Sequence, residues 1–120
     1  MRIIVCGSRS FQDYSLLQAA LDTYNDVSLI EGGAAGADTM ALEYALWRGW
    51  DWQEYPADWG RYGRAAGPIR NRQMLVEGKP DLVLAFFAVP YEQSKGTRNM
   101  VEQAKEVGIP SRAFHESSPL

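Results

Sequence analysis

The sequence predicts one α/β domain built on about five parallel strands with helices on both faces. Three observations lead there. Short apolar runs alternate with segments of helical period, as expected of strands joined by crossover helices. Each connection is long enough for parallel pairing. The glycine-rich loops fall where strands end and helices begin. At 120 residues the chain has the length of one domain, enough to bury a core without disulfides or structural metal.

The first strand is Arg2 to Cys6, ending in Gly7-Ser8-Arg9-Ser10. A helix is expected from near Ser15, where Ser15 and Gln18 have capping-box spacing. Leu16, Leu17, Ala20, Leu21 and Tyr24 then recur on one face. Val27 to Glu31 reads as the second strand, stopped by Gly32-Gly33. From Gly36 or Ala37 to Arg48 the pattern is helical and apolar almost all round, with Gly49 as C-cap. That character predicts a homo-oligomer, a dimer or higher. Trp50 to Tyr55 alternates aromatic and polar residues as a third strand. Ala57 to Gly67 reads as a loop, and Pro68 as the first residue of a short helix carrying Ile69 to Glu77.

Asp81 to Phe87 is the most apolar strand and is expected to be central, covered on both faces. Ala88 to Lys95 is a polar loop, and Gly96-Thr97 opens a helix with Met100, Val101, Ala104 and Val107 on one face. A last strand lies around Arg112 to Phe114. The count is five strands and four helices in a Rossmann-like domain over residues 1–115, with 116–120 as a tail.

Composition narrows function. With 46% hydrophobic and 22% charged residues the chain is an ordinary soluble domain. A formal net charge of -3 argues against general nucleic-acid binding. The single cysteine excludes an internal disulfide, and no Cys/His cluster has metal-ligand spacing, so neither metal nor cofactor is expected. The run Ile3 to Cys6 is too short for a signal peptide and no stretch reaches membrane-spanning length, which predicts a cytoplasmic protein without membrane contact.

In such folds ligands sit beyond the carboxyl ends of the strands. Gly7, Ser8 and Arg9, the run Gly32-Gly33-Ala34-Ala35-Gly36-Ala37-Asp38, Asp58 with Trp59, and Gly96-Thr97 all fall there. Glycines admit positive φ and close backbone approach, and a helix N-terminus offers free N–H groups to an anion. Gly32, Gly33, Ala34 and Gly36 therefore read as a phosphate cradle, with Gly96 and Thr97 as a second. Asp38 is placed either for a ribose hydroxyl or for the first turn of its own helix. Of the basic residues Arg61, Arg64, Arg70 and Arg72, Arg70 and its neighbour Asn71 are assigned to the site. Arg61 and Arg64 also read as a solvated face. Trp59 is placed to cover a nucleobase. Cys6 reads as a core thiol, and His115 has no acid–base partner in sight. A charge introduced at Gly33 is expected to abolish binding while leaving the fold intact.

The motifs M-R-I-I-V-C-G-S-R-S-F, E-G-G-A-A-G-A-D, Y-P-A-D-W, A-A-G-P-I-R-N-R-Q-M-L and G-T-R-N-M resemble the SLOG superfamily, named for Smf/DprA and LOG proteins. The resemblance is to its small stand-alone YspA-like, YpsA-related branch and spans nearly the whole chain. It implies a Rossmann-like domain that binds nucleotides or nucleotide-derived molecules as a sensor or processor. The LOG branch are phosphoribohydrolases, N-glycosidases that release a base from a nucleoside 5′-monophosphate. Their arginine, four residues before a methionine, matches Arg70 and Met74, and their G-T matches Gly96-Thr97. Their catalytic glutamate position is Met100 here. Glu102 does not replace it, because two residues turn a helix by about 200°. Binding is thus the leading reading. LOG-type hydrolysis with Arg70 is the alternative, and single-stranded DNA binding, suggested by the DprA side, a further one.

Overall fold

The computed structural model describes residues 1–116; the expected tail beyond Glu116 lies outside the described residues. Five strands, β1 (Arg2–Gly7), β2 (Ser28–Glu31), β3 (Asp51–Glu54), β4 (Leu82–Phe87) and β5 (Ser111–His115), pair in parallel in the order β3-β2-β1-β4-β5. The helices are α1 (Tyr14–Leu21), α2 (Ala37–Arg48), α3 (Trp59–Tyr62), α4 (Ala66–Gly78) and α5 (Lys95–Glu106). Single 3-10 turns lie at Gly63–Ala65 and Tyr91–Gln93.

The helix layers follow from the strand order. The chain steps outward from β1 to β2 to β3, then returns to build β4 and β5 on the other side. Crossovers of one hand place helices on opposite faces when the direction of travel reverses. Side chains alternate across the sheet. Ile3, Val5, Leu29, Leu84 and Phe86 therefore meet Leu17 and Leu21 of α1 and Ala41 and Tyr44 of α2. Ile4, Cys6, Ile30, Val83 and Phe87 face the other way, onto Met74 of α4 and Met100 and Ala104 of α5. All six residues of β4 are buried, as its composition predicts, although β1 holds the middle of the sheet.

The structure corrects several expected boundaries. Helix α1 starts at Tyr14, capped by Asp13, whose Oδ1 accepts from the N–H of Leu16 at 3.1 Å; Ser15 is an exposed helical residue. The expected loop 57–67 contains α3 and a 3-10 turn that runs into α4. Pro68 is consequently the third residue of α4 and not the first. It is tolerated there because first-turn amides have no helical partner to lose. Val107 follows the end of α5 and is 54% exposed, outside the core face expected for it.

Helix α2 buries Ala37, Ala41, Tyr44 and Ala45 against the sheet and leaves Leu46 and Trp47 exposed; Trp52 of edge strand β3 is exposed as well. The apolar surplus of this helix is thus confined to its C-terminal half. Among the described residues no helix is long and apolar enough to cross a membrane.

The cap assignment is testable by urea denaturation. Asp13→Ala should lower stability by about 1 kcal/mol, whereas Ser15→Ala should stay within about 0.5 kcal/mol of wild type.

Candidate functional site

The site begins where β1 and β4 end side by side and the chain leaves them in opposite directions, toward α1 on one face and α5 on the other. Such a switch point leaves a crevice above the strand ends. Three backbone segments crowd its floor. A β-carbon on Gly7 would lie 2.6 Å from the β-carbon of Ala37 and inside the contact shell of the Phe86 carbonyl. Gly36, at φ +80°, admits the Ser8 carbonyl where a side chain would stand. The Ser8 N–H donates to the Phe86 carbonyl at 2.9 Å. The Ser8 hydroxyl accepts from the Ala88 N–H at 3.1 Å and shares a hydrogen bond with the Ser94 hydroxyl, also at 3.1 Å.

The loop after β2 is differently used than its glycines suggest. The N–H groups of Gly32 and Ala34 both donate to Oδ2 of Asp38, at 3.1 and 3.2 Å. The Gly33 N–H donates to Oε1 of Glu31 at 2.6 Å. These amides are turned onto the chain's own carboxylates. Gly32 has a second role: its carbonyl accepts from Nη1 of Arg70, and a β-carbon there would strike the guanidinium. Gly33 sits at φ +74°, with its missing β-carbon 3.2 Å from the carboxyl carbon of Glu54. A Gly33→Asp change would strain the backbone and set two carboxylates together, so it would lower stability as well as alter this loop.

Above the strand ends lies a cavity of about 470 Å³, within the range of small-molecule sites. Of the residues singled out in the sequence, Gly7, Ser8, Arg9, Ala34, Asp38, Trp59, Arg70, Asn71, Gly96 and Thr97 line it. Gly32, Gly33 and Gly36 do not line it, and neither does Asp58, which caps α3 by accepting from the Arg61 N–H at 3.1 Å. Lining residues not anticipated include Cys6, Gly67, Met74, Ser94 and Lys95. Arg61, Arg64 and Arg72 are exposed and outside the lining.

The lining is positively charged. Arg9, Arg70 and Lys95 face one carboxylate, Asp38. The Arg9 guanidinium lies 5.4 Å from the centre of the Trp59 ring, within cation–π reach. Trp59 in turn packs on Gly67, where a β-carbon would come within 3.3 Å of the indole. Helix α5 starts at Lys95 with no side-chain cap, so its first turn opens onto the cavity. Asn71 fixes that turn: its Nδ2 donates to the Gly96 carbonyl and to Oδ1 of Asn99, each at 3.1 Å. Met100 is fully buried in the core below. His115 stacks on Phe87 of the neighbouring strand and is not part of the lining.

Burial governs the acids. Asp38 is 4% exposed and its carboxyl is pushed up to about 6, the Ala34 and Gly32 amides and Arg70 holding it from going higher. Glu31, paired across the sheet with Glu54, is fully buried and pushed up to about 8 by burial and by hydrogen bonding to Glu54. As a carboxylate its Oε2 has no donor among the described residues. As a carboxylic acid it becomes a donor itself and can satisfy Glu54. Burial also pushes the Cys6 thiol far up, so the cavity holds a thiol and not a thiolate nucleophile.

Fold and cavity together define a small Rossmann-like α/β domain with a crevice at its topological switch. The family model described as YspA, cpYpsA-related SLOG family matches residues 1–62. The Gene 61 protein of Mycobacterium phage D29 is 33% identical over 124 residues, covering 91% of this chain and 92% of the phage protein. This chain belongs to the YspA, cpYpsA-related SLOG family. Among solved structures, the C-terminal domain of PF1911 hydrogenase from Pyrococcus furiosus superposes with a TM-score of 0.52 at 19% identity, covering 94% of this chain and 90% of that one. That likeness is one of fold.

The raised acids fix the sign of a pH effect. Folded Glu31 holds its proton up to about 8, while its ordinary value is 4.5. The folded state therefore binds the extra proton between these values, and stability falls as pH rises through that window. Asp38 adds the same sign between 3.8 and about 6. In urea titrations Glu31→Gln should flatten the decline and exceed wild type at the alkaline end. A variant profile parallel to wild type would contradict this account of Glu31.

Proposed function

We propose that the cavity binds a nucleotide or nucleotide-derived phosphorylated ligand, and that the protein acts by holding it. One observation carries this reading: Arg9, Arg70, Lys95 and an uncapped helix N-terminus converge on one crevice of a chain whose net charge is -3. Helix dipole and guanidinium forks favour phosphate in such a place. Because the amides of Gly32, Gly33 and Ala34 already serve Asp38 and Glu31, the phosphate belongs on the first turn of α5. Lys95, Gly96 and Thr97 form that turn. Trp59, half-exposed over Gly67 beside Arg9, offers a flat face to a base. Arg70, held by the Gly32 carbonyl and Oδ1 of Asn71, is oriented by bonds within the chain.

Family membership supports the ligand class. Holding, in preference to LOG-type hydrolysis, is supported by Met100. At the glutamate position of that chemistry this chain carries a core side chain, fully buried under the sheet-facing side of α5. Single-stranded DNA finds little support, since Arg61, Arg64 and Arg72 lie outside the lining and no basic stripe extends from it among the described residues.

The test is a thermal-shift panel of nucleoside mono- and diphosphates, with base release followed by chromatography. A ligand at a hundredfold its dissociation constant should add about 2.7 kcal/mol of stability. Lys95→Glu, which reverses a charge on an exposed residue, should weaken binding roughly tenfold or more, the loss of one charge-assisted hydrogen bond. Free base should not accumulate. If no nucleotide raises the melting temperature, the reading fails.

A further inference from the structure

Asp38 is the one carboxylate lining a cationic cavity, and its two oxygens are used differently. Oδ2 accepts from the Gly32 and Ala34 amides, which fixes the plane of the carboxyl group. Oδ1 has no donor among the described residues. It is not sealed in the interior either, because the buried, unpartnered side-chain oxygen found there is Oε2 of Glu31. Oδ1 therefore opens onto the cavity that Asp38 lines. Arg70 does not take it: no Arg70 nitrogen comes within ion-pair distance of Asp38, while Nη1 serves the Gly32 carbonyl and Nε serves Oδ1 of Asn71. The one ion pair among the described residues is Arg98 with Glu102, elsewhere on α5.

A desolvated carboxylate with one free edge is costly until a donor meets it. Water can meet that edge in the open cavity, and a ligand that displaces the water has to supply the donor in its place. Asp38 is the second residue of α2, and its free oxygen shares one crevice with the helix N-terminus proposed for the phosphate. Here the anion site at Lys95 to Thr97 and the acceptor at Asp38 are contributed by different walls of one crevice. We infer that Asp38 accepts a hydrogen bond from a ribose hydroxyl, so that the cavity selects ribonucleotides over their deoxy counterparts. This rests on the nucleotide reading above and adds the sugar to it. A site built to bond a hydroxyl rejects the analogue that lacks it, because its own polar group is then left bare.

The experiment is calorimetric titration of the full chain. The ligands are the ribonucleoside 5′-monophosphates and their 2′-deoxy and 3′-deoxy counterparts, with inosine monophosphate beside adenosine monophosphate. Wild type should bind the ribonucleotides roughly tenfold or more tighter than one deoxy series, the equivalent of one hydrogen bond to a charged group. Asp38→Asn should erase that ratio: its carbonyl still serves the two amides, and its NH₂ turns a donor toward the cavity. The wild-type comparison stands even if the variant does not fold. Equal affinity for both series in wild type, or an unchanged ratio in Asp38→Asn, overturns the inference and leaves the cavity a nucleotide site. A preference for adenosine over inosine monophosphate that Asp38→Asn erases, with both sugar series equal, also overturns it by moving Asp38 to the base. Binding of no nucleotide at all overturns the nucleotide reading itself and this inference with it.

Discussion

The molecule turns on the absence of a side chain at Gly7. There the end of β1 passes between the Phe86 carbonyl of β4 and the first residue of α2, closer than any β-carbon would allow. The next glycine contact, Gly36 against the carbonyls of Ser8 and Arg9, continues the same close approach. Overpacking of this kind forces backbone shifts of 1–3 kcal/mol or so in ordinary cores. In this chain the shift would fall on the floor of the cavity. The Ser8 bonds to Phe86, Ala88 and Ser94 exist because the strand ends can come this near.

Helix α4 then ties the two walls to one another. Arg70 reaches the Gly32 carbonyl in the loop after β2, while Asn71 reaches the Gly96 carbonyl and Asn99 at the start of α5. Gln103 answers from α5, donating to the Pro68 carbonyl and to Asn99. These are polar bonds in a partly dry setting, where each is strong and a missing partner is expensive. Adjacent residues of one helix thereby hold both sides of the crevice, which explains why Arg70 and Asn71 stand together in the sequence.

Much of the fold was legible because it depends on periodicity. Strand runs, the long helices and the parallel order follow from apolar spacing and connection length. What was not legible depends on choices among local alternatives. Asp13 and Ser15 both satisfy the chemistry of an N-cap, and the burial of Phe11 just upstream accompanies the choice of Asp13. Helix α3 spans a single turn, too short to show a period, and its Gly60 and Arg61 read as loop residues. In the G-G-A-A-G-A-D run, composition signals positive φ, which Gly33 and Gly36 adopt, but not the direction of the amides. Glu31 and Asp38, close in sequence, were the available acceptors and took them. Nothing periodic marks Ser94 and Lys95 as lining residues, since they stand at the very start of α5.

The likeness to the phage protein covers 91% of this chain, while the family model matches residues 1–62, to the last residue of α3, and so takes in one wall of the cavity. The wall inside that span carries Gly7 to Arg9, Asp38 and Trp59; the opposite wall carries Arg70, Asn71 and the turn from Ser94 to Thr97. That segment is the N-cap and first turn of α5 and belongs to no strand. Within it Ser94 is tied to Ser8 and Thr97 is buried, whereas Lys95 is exposed and can be exchanged without altering any register in the sheet. A protein engineer retuning the charge of this cavity would begin at that one side chain.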